Sequence, residues 1–198
     1  MLSLKQLKTW FQDTENILKE ISMASLNLKR IARPADKKET GTIQDEFVPW
    51  FHEQLVFILV VQLCKLYISS DTERRNFRKL FNRLRYDVYD ESLKKCLRKN
   101  RGKAGLLAYK AEIKEFLKPW SDKLDEREEL IHRMKTLRDR VYVHSDPSGS
   151  LPSIHPEELL EMTNLAMDIY SGLKSALFDE SFPHPDEVHW LPGRIGAE

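Results

Sequence analysis

A chain of 198 residues is long enough to enclose its own hydrophobic core and falls within the size of one domain. Hydrophobic residues at 41% exclude a purely solvated chain, and 7 glycines with 9 prolines are too few for a turn-dense β fold. The net charge of +1 conceals an asymmetry: residues 65–103 hold 13 Lys/Arg against 5 Asp/Glu, and residues 156–198 hold 2 against 9, so one region can attract a polyanion without the whole surface doing so.

The opening MLSLKQLKTW has no sustained apolar run and no small-residue cleavage site, so no signal peptide is expected. A first helix is predicted over about 4–31, where Leu7, Trp10, Phe11, Leu18, Ile21 and Leu28 recur at three- and four-residue intervals. RPADKKETGT, within about 33–44, mixes proline, glycine and charge and predicts a mobile connection. A second helix, over about 45–68, is apolar nearly all round in its middle and is expected to be the central element of a bundle. Glu53, Gln54, Gln62 and Lys65 interrupt its apolar run short of the roughly 18 residues that a spanning helix needs, so no membrane is expected.

Ser70 or Asp71 is the expected N-cap of a third helix reaching Arg85, with Glu73 in its first turn. Its apolar face is Phe77, Leu80, Phe81 and Leu84, and Arg74, Arg75, Arg78, Arg83 and Arg85 line the remainder. The next stretch reads as one broken or two consecutive helices with its weak point at 100–105, and Pro119 predicts a further break. A helix from about 121 or 125 to His144 follows, then one over about 156–178 with Pro156 in its first turn. Together these elements predict an all-α protein: a bundle of four core helices with additional ones, in a single domain over 1–180, followed by an irregular tail over 181–198.

Cys64 and Cys96 lie in different predicted helices with no metal-ligand spacing, as expected of reduced, packing cysteines in a cytoplasmic protein. The six histidines form no HxxH or HExxH pair, so neither a zinc site nor another cofactor is expected.

The segment TLRDRVYVHSDP places Arg138, Asp139, Arg140 and His144 within two helical turns. On a wheel of about 100° per residue, Leu130, Met134, Leu137 and Val141 form one stripe, with Arg138 to one side and His144 near the other edge. Histidine titrates near neutrality and can move a proton, while arginine is permanently charged and forks onto two phosphate oxygens. These are the two tasks of metal-free RNA cleavage, in which a 2′-hydroxyl attacks its neighbouring phosphate. The same residues also make ordinary helix-terminal caps, with Asp139 pairing to a neighbouring cation.

Arginine followed four to six residues later by histidine resembles the signature of the HEPN superfamily, and LRDRVYVHSD looks like its abortive-infection U-type branch. In that resemblance Arg138 and His144 are the catalytic pair, and Asp139 stands in the polar position after the arginine as a supporting group. The resemblance implies an α-helical, metal-independent endoribonuclease of the toxin or antiviral-defence type. It also implies a homodimer that brings two copies of the motif into one cleft, and a neutralising antitoxin partner. REELIH, with Arg127 and His132, satisfies the same spacing, but Glu128 follows its arginine. Some relatives carry a modifiable tyrosine two residues past the histidine; here that position is Asp146, and Tyr142 has the wrong spacing.

The candidate RNA-binding residues are Arg140, then Arg74, Arg75, Arg78 and Lys79, then Lys94, Lys95, Arg98, Lys99 and Arg101. Tyr86 and Tyr89 are candidates for stacking on bases or for the core. Two other readings stand beside the nuclease: a non-catalytic helical binding module, and a DNA-binding regulator using the Asp71–Arg85 stretch.

Overall fold

The computed structural model describes residues 1–32, 44–69, 75–143 and 152–180. Helix α1 (Leu4–Ala32) starts at a reciprocal cap, in which the Gln6 N–H donates to Ser3 Oγ and the Ser3 N–H to Gln6 Oε1, both at 3.1 Å. It packs along α2 (Gln44–Tyr67), and α7 (Pro156–Phe178) lies against both. The short helices α3 (Phe77–Tyr86) and α4 (Glu91–Arg98) follow, then α5 (Lys110–Glu126) and α6 (Glu128–Leu137). The fold is an all-α multi-helix bundle, and its only extended pairing among the described residues is a single bridge between Leu2 and Tyr89.

Helix α2 touches α1, α3, α6 and α7, as its all-round apolarity predicts. Leu55, Leu59, Val60, Leu63 and Leu66 are buried, but Phe47, Val48 and Trp50 in its first turns are exposed. The expectation that its polar residues keep it short of a spanning length does not hold: Phe47–Tyr67 is long and apolar enough to cross a membrane by length and composition. Against α1, the aromatic core gathers Phe77 between Trp10, at 5.8 Å, and Tyr67, at 5.6 Å. Cys64 is buried, Cys96 half-buried, and neither is in a disulfide.

Three local expectations are corrected. The cap of α3 is Asn76, whose Oδ1 accepts from the Lys79 N–H at 3.1 Å; Ser70, Asp71 and Glu73 lie outside the described residues. Pro119 sits inside α5. Its cost of about 3 kcal/mol in a helix interior is offset by a brace, since Arg85 Nη2 donates to Leu117 O at 3.0 Å and Ser121 Oγ at 2.6 Å, on either side of the proline. The break falls instead at Arg127, between α5 and α6. Finally, the helix carrying the Arg–His motif does not run on as an α-helix to His144: it widens into a π-helical segment, Arg138–Val143. Val141, Tyr142 and Val143, β-branched or aromatic, are weak formers of a regular α-turn.

The weak point predicted at 100–105 is a real break. Gly102 and Gly105 take φ of 76° and 77°, where a side chain is strained. The buried Asn100 closes the turn, its Nδ2 donating to Leu107 O and Leu177 O, both at 3.2 Å. The connection at 33–43 and the tail at 181–198 lie outside the described residues.

Candidate functional site

Two sites emerge from the cationic residues. The first is the π-helical segment, which packs on α2 and α6. Arg138 opens it, and its Nε and Nη2 both donate to Asp139 Oδ1, at 2.8 and 2.7 Å. The guanidinium is thereby held in place, with three of its five N–H groups meeting no partner among the described residues. The Arg138 side chain is 21% exposed, and no second acid among the described residues reaches it. Arg140 is exposed. His144 and Asp146 lie outside the described residues, as does the Tyr142 side chain.

Three residues of the hydrophobic stripe beside the motif are engaged within the chain. Leu130 and Met134 are buried in the bundle and Leu137 packs against its core; full burial of such a side chain is worth about 1.5–3 kcal/mol. The upstream Arg–His pair is also separated from the motif by its contacts. Arg127 Nε donates to Glu161 Oε1 at 2.9 Å, tying the α5–α6 junction to α7, while His132 is exposed.

One turn further on, Arg133 donates to Ser153 O at 2.7 Å and to Glu158 Oε1 at 2.5 Å. This clamp fixes where the chain resumes after the motif. The Arg133 hydrogen bond, with the His155 N–H donated to the same side chain, holds the Glu158 carboxyl below its ordinary range.

The second site comes from dividing the predicted basic surface. On the α3 side, Arg75 pairs with Asp13 at 3.1 Å. Arg78 pairs with Asp125 at 2.6 Å and with Glu128, and also donates to Leu124 O at 3.2 Å. Lys79 is half-buried, and Arg74 lies outside the described residues. On the α4 side Lys94 pairs with Glu91 at 2.7 Å, but Lys95, Arg98, Lys99, Arg101 and Lys103 are exposed, none within ion-pair distance of an acid among the described residues.

Of these cations Arg98 and Arg101 line, with Lys94, a groove of about 390 Å³ between the 87–89 connector, α4 and the start of α5. The two candidate stacking tyrosines separate here. Tyr89 is buried, its hydroxyl donating to Leu84 O, and burial with the nearby Asp87 charge pushes it up to about 12. Tyr86 is 71% exposed.

Sequence reasoning missed Tyr109, 49% exposed, with the Arg101 guanidinium carbon 5.1 Å from its ring centroid, and Lys110, which lines the same groove. The signal was available: Tyr109 immediately precedes α5 and belongs to no apolar stripe. Among the described residues no group of three or more His, Cys, Asp or Glu is placed to hold a metal ion. Comparison with known proteins finds no matching family model, no matching curated protein and no matching solved structure.

Proposed function

We propose that the chain is a HEPN-like, metal-independent endoribonuclease in which Arg138 and His144 act on one phosphate of an RNA backbone. The observation that carries this reading is the state of Arg138. Arg78, Arg85, Arg127 and Arg133 are each engaged across helices, whereas Arg138, among the described residues, is held only by its neighbour Asp139 at a π turn. Such turns are frequent at functional sites, and a preorganised guanidinium with unused donors suits a phosphate whose charge grows in the transition state.

In the reaction, His144 takes the proton of the 2′-hydroxyl as its oxygen bonds to phosphorus, and the bond to the 5′-oxygen breaks. The departing oxygen takes up a proton from water, leaving a cyclic phosphate and a 5′-hydroxyl, and His144 returns its proton to solvent. Asp139 orients Arg138 and keeps it from pairing elsewhere.

A homodimer would unite two motifs. With Leu130 and Met134 buried, the exposed Phe47, Val48 and Trp50 of α2 are the surface proposed for a two-fold contact, because α2 also packs on the π segment. A cytoplasmic nuclease of this kind implies a neutralising partner by analogy alone.

The test is incubation of RNA in chelator with the wild type, Arg138→Ala and His144→Ala. Cutting to cyclic-phosphate ends should fall by about 10²–10⁴ in the His144 variant, and by a comparable factor in the Arg138 variant. Equal cutting by all three proteins would overturn the assignment.

A second reading rests on the exposed α4 cations, which suit a non-catalytic binding module. RNA binding with no cutting by either protomer or dimer would favour it.

A further inference from the structure

The groove at the end of α4 is built from parts that the Arg138 site does not share. Its neighbours are α1 and the connector after α3, whereas the π segment packs on α2 and α6. Its walls are fixed by backbone bonds. The Leu2 N–H donates to Val88 O at 2.8 Å and the Asp90 N–H to Leu2 O at 3.0 Å, so the amino terminus straps the connector. Asp90 then caps α4, its Oδ1 accepting from the Leu93 N–H at 2.7 Å. Across the groove Lys110 Nζ donates to Asp87 O at 2.7 Å, and the Leu107 N–H to Ala176 O at 2.9 Å.

The groove's chemistry is cationic and aromatic together. Arg98 and Arg101 line it beside Tyr109, and Val88, 68% exposed, contributes apolar surface. Asp87, the acid on this wall, is turned to Arg83 at 3.1 Å and to the terminal ammonium at 3.7 Å. The Tyr109 N–H, with that of Ala108, donates to Glu112 Oε2, so the residue caps α5 through its backbone and leaves its ring to the groove. A folded interior has no use for an exposed ring in one groove with guanidinium groups that meet no acid among the described residues. A chain that alternates flat bases with phosphates does.

We propose that this groove binds a single-stranded stretch of polynucleotide, with one base on the Tyr109 ring and the adjoining phosphates on Arg98 and Arg101. The groove rests on the reading of the protein as RNA-directed and not on its cutting activity. It would hold substrate away from the Arg138 site, so that affinity and cleavage are separable.

The experiment uses the full chain carrying His144→Ala, with a labelled single-stranded RNA of about a dozen nucleotides, the same sequence as a duplex, and polyglutamate. Tyr109→Ala should weaken single-strand binding about 5- to 100-fold while Tyr109→Phe retains it. Arg101→Gln should make the log–log salt dependence shallower by about 0.7. Each variant should melt with the parent, since the altered groups are exposed.

Single-strand binding unchanged by both Tyr109→Ala and Arg101→Gln overturns the groove. So does tighter binding of duplex or polyglutamate that ignores Tyr109. Cutting that survives His144→Ala, alongside binding that still depends on Tyr109, sinks the nuclease assignment and leaves the groove standing. Cutting lost in His144→Ala, with binding indifferent to Tyr109, does the reverse.

Discussion

Helices α3 and α4 are both rich in arginine and lysine, yet they use their charge in opposite ways. On α3 the arginines face neighbouring elements: Arg78 bridges the α5–α6 junction and Arg85 braces α5 around Pro119. On α4 the cations beyond Lys94 face solvent beside a groove. The difference follows from what surrounds each helix. Helix α3 packs along α5, whose carbonyls and acids come within reach, while α4 has light packing on α1 and ends in the glycine turn at 102–105. A cation count along the sequence therefore marks a charged region without separating structural arginines from those available to a ligand.

The largest break in this comparison should come from α4. Replacing Lys95, Arg98 and Lys99 together by glutamine should make the salt dependence of RNA binding shallower by about 2 on logarithmic axes, with the melting temperature unchanged. Filter binding across a salt series would measure the first quantity and thermal denaturation the second. A large loss of stability with unchanged binding would place α4 in the same role as α3.

Arg78→Ala should behave in the opposite sense. It removes two ion pairs and a carbonyl contact at a helix junction and should cost about 1–2 kcal/mol, read from denaturant unfolding, while RNA affinity stays within about twofold. An intact stability curve would show that the junction stands without its arginine.

The smallest effect sharpens the contrast through pH. Glu158 is held below the ordinary carboxylate range chiefly by the Arg133 hydrogen bond, so the folded state binds its proton less readily than the unfolded chain. Its contribution is complete above the unfolded value and is lost as pH falls through the lowered folded one. Glu158→Gln should therefore be less stable than wild type at neutral pH, and the gap should narrow in acid, as followed by circular dichroism. A constant gap would detach the Arg133 clamp from Glu158 ionisation.

Periodicity made the helices legible, because α1, α2 and α7 carry apolar positions that few other structures would bury. The weak point after α4 was legible from Asn100, Gly102 and Gly105. The Arg127 break and the Pro119 continuity were not, because both depend on arginines from α3 and acids from α7 that are distant in sequence. The π turn at Arg138–Val143 was not legible either, because an ideal wheel of about 100° per residue assumes regular α-helix throughout. The tyrosine of the cationic groove is not legible in the basic stretch, because Tyr109 enters the groove from the start of the next helix.

The proposed reaction makes a ribose hydroxyl the nucleophile, with Arg138 and His144 serving its attack on phosphorus. It is tested most directly by giving wild-type protein, in chelator, a matched pair of oligonucleotides: RNA, and the same sequence with every 2′-hydroxyl methylated. Both should bind with similar affinity, and only the unmodified strand should be cut, leaving a cyclic phosphate. Cleavage of the methylated strand at a comparable rate would contradict it.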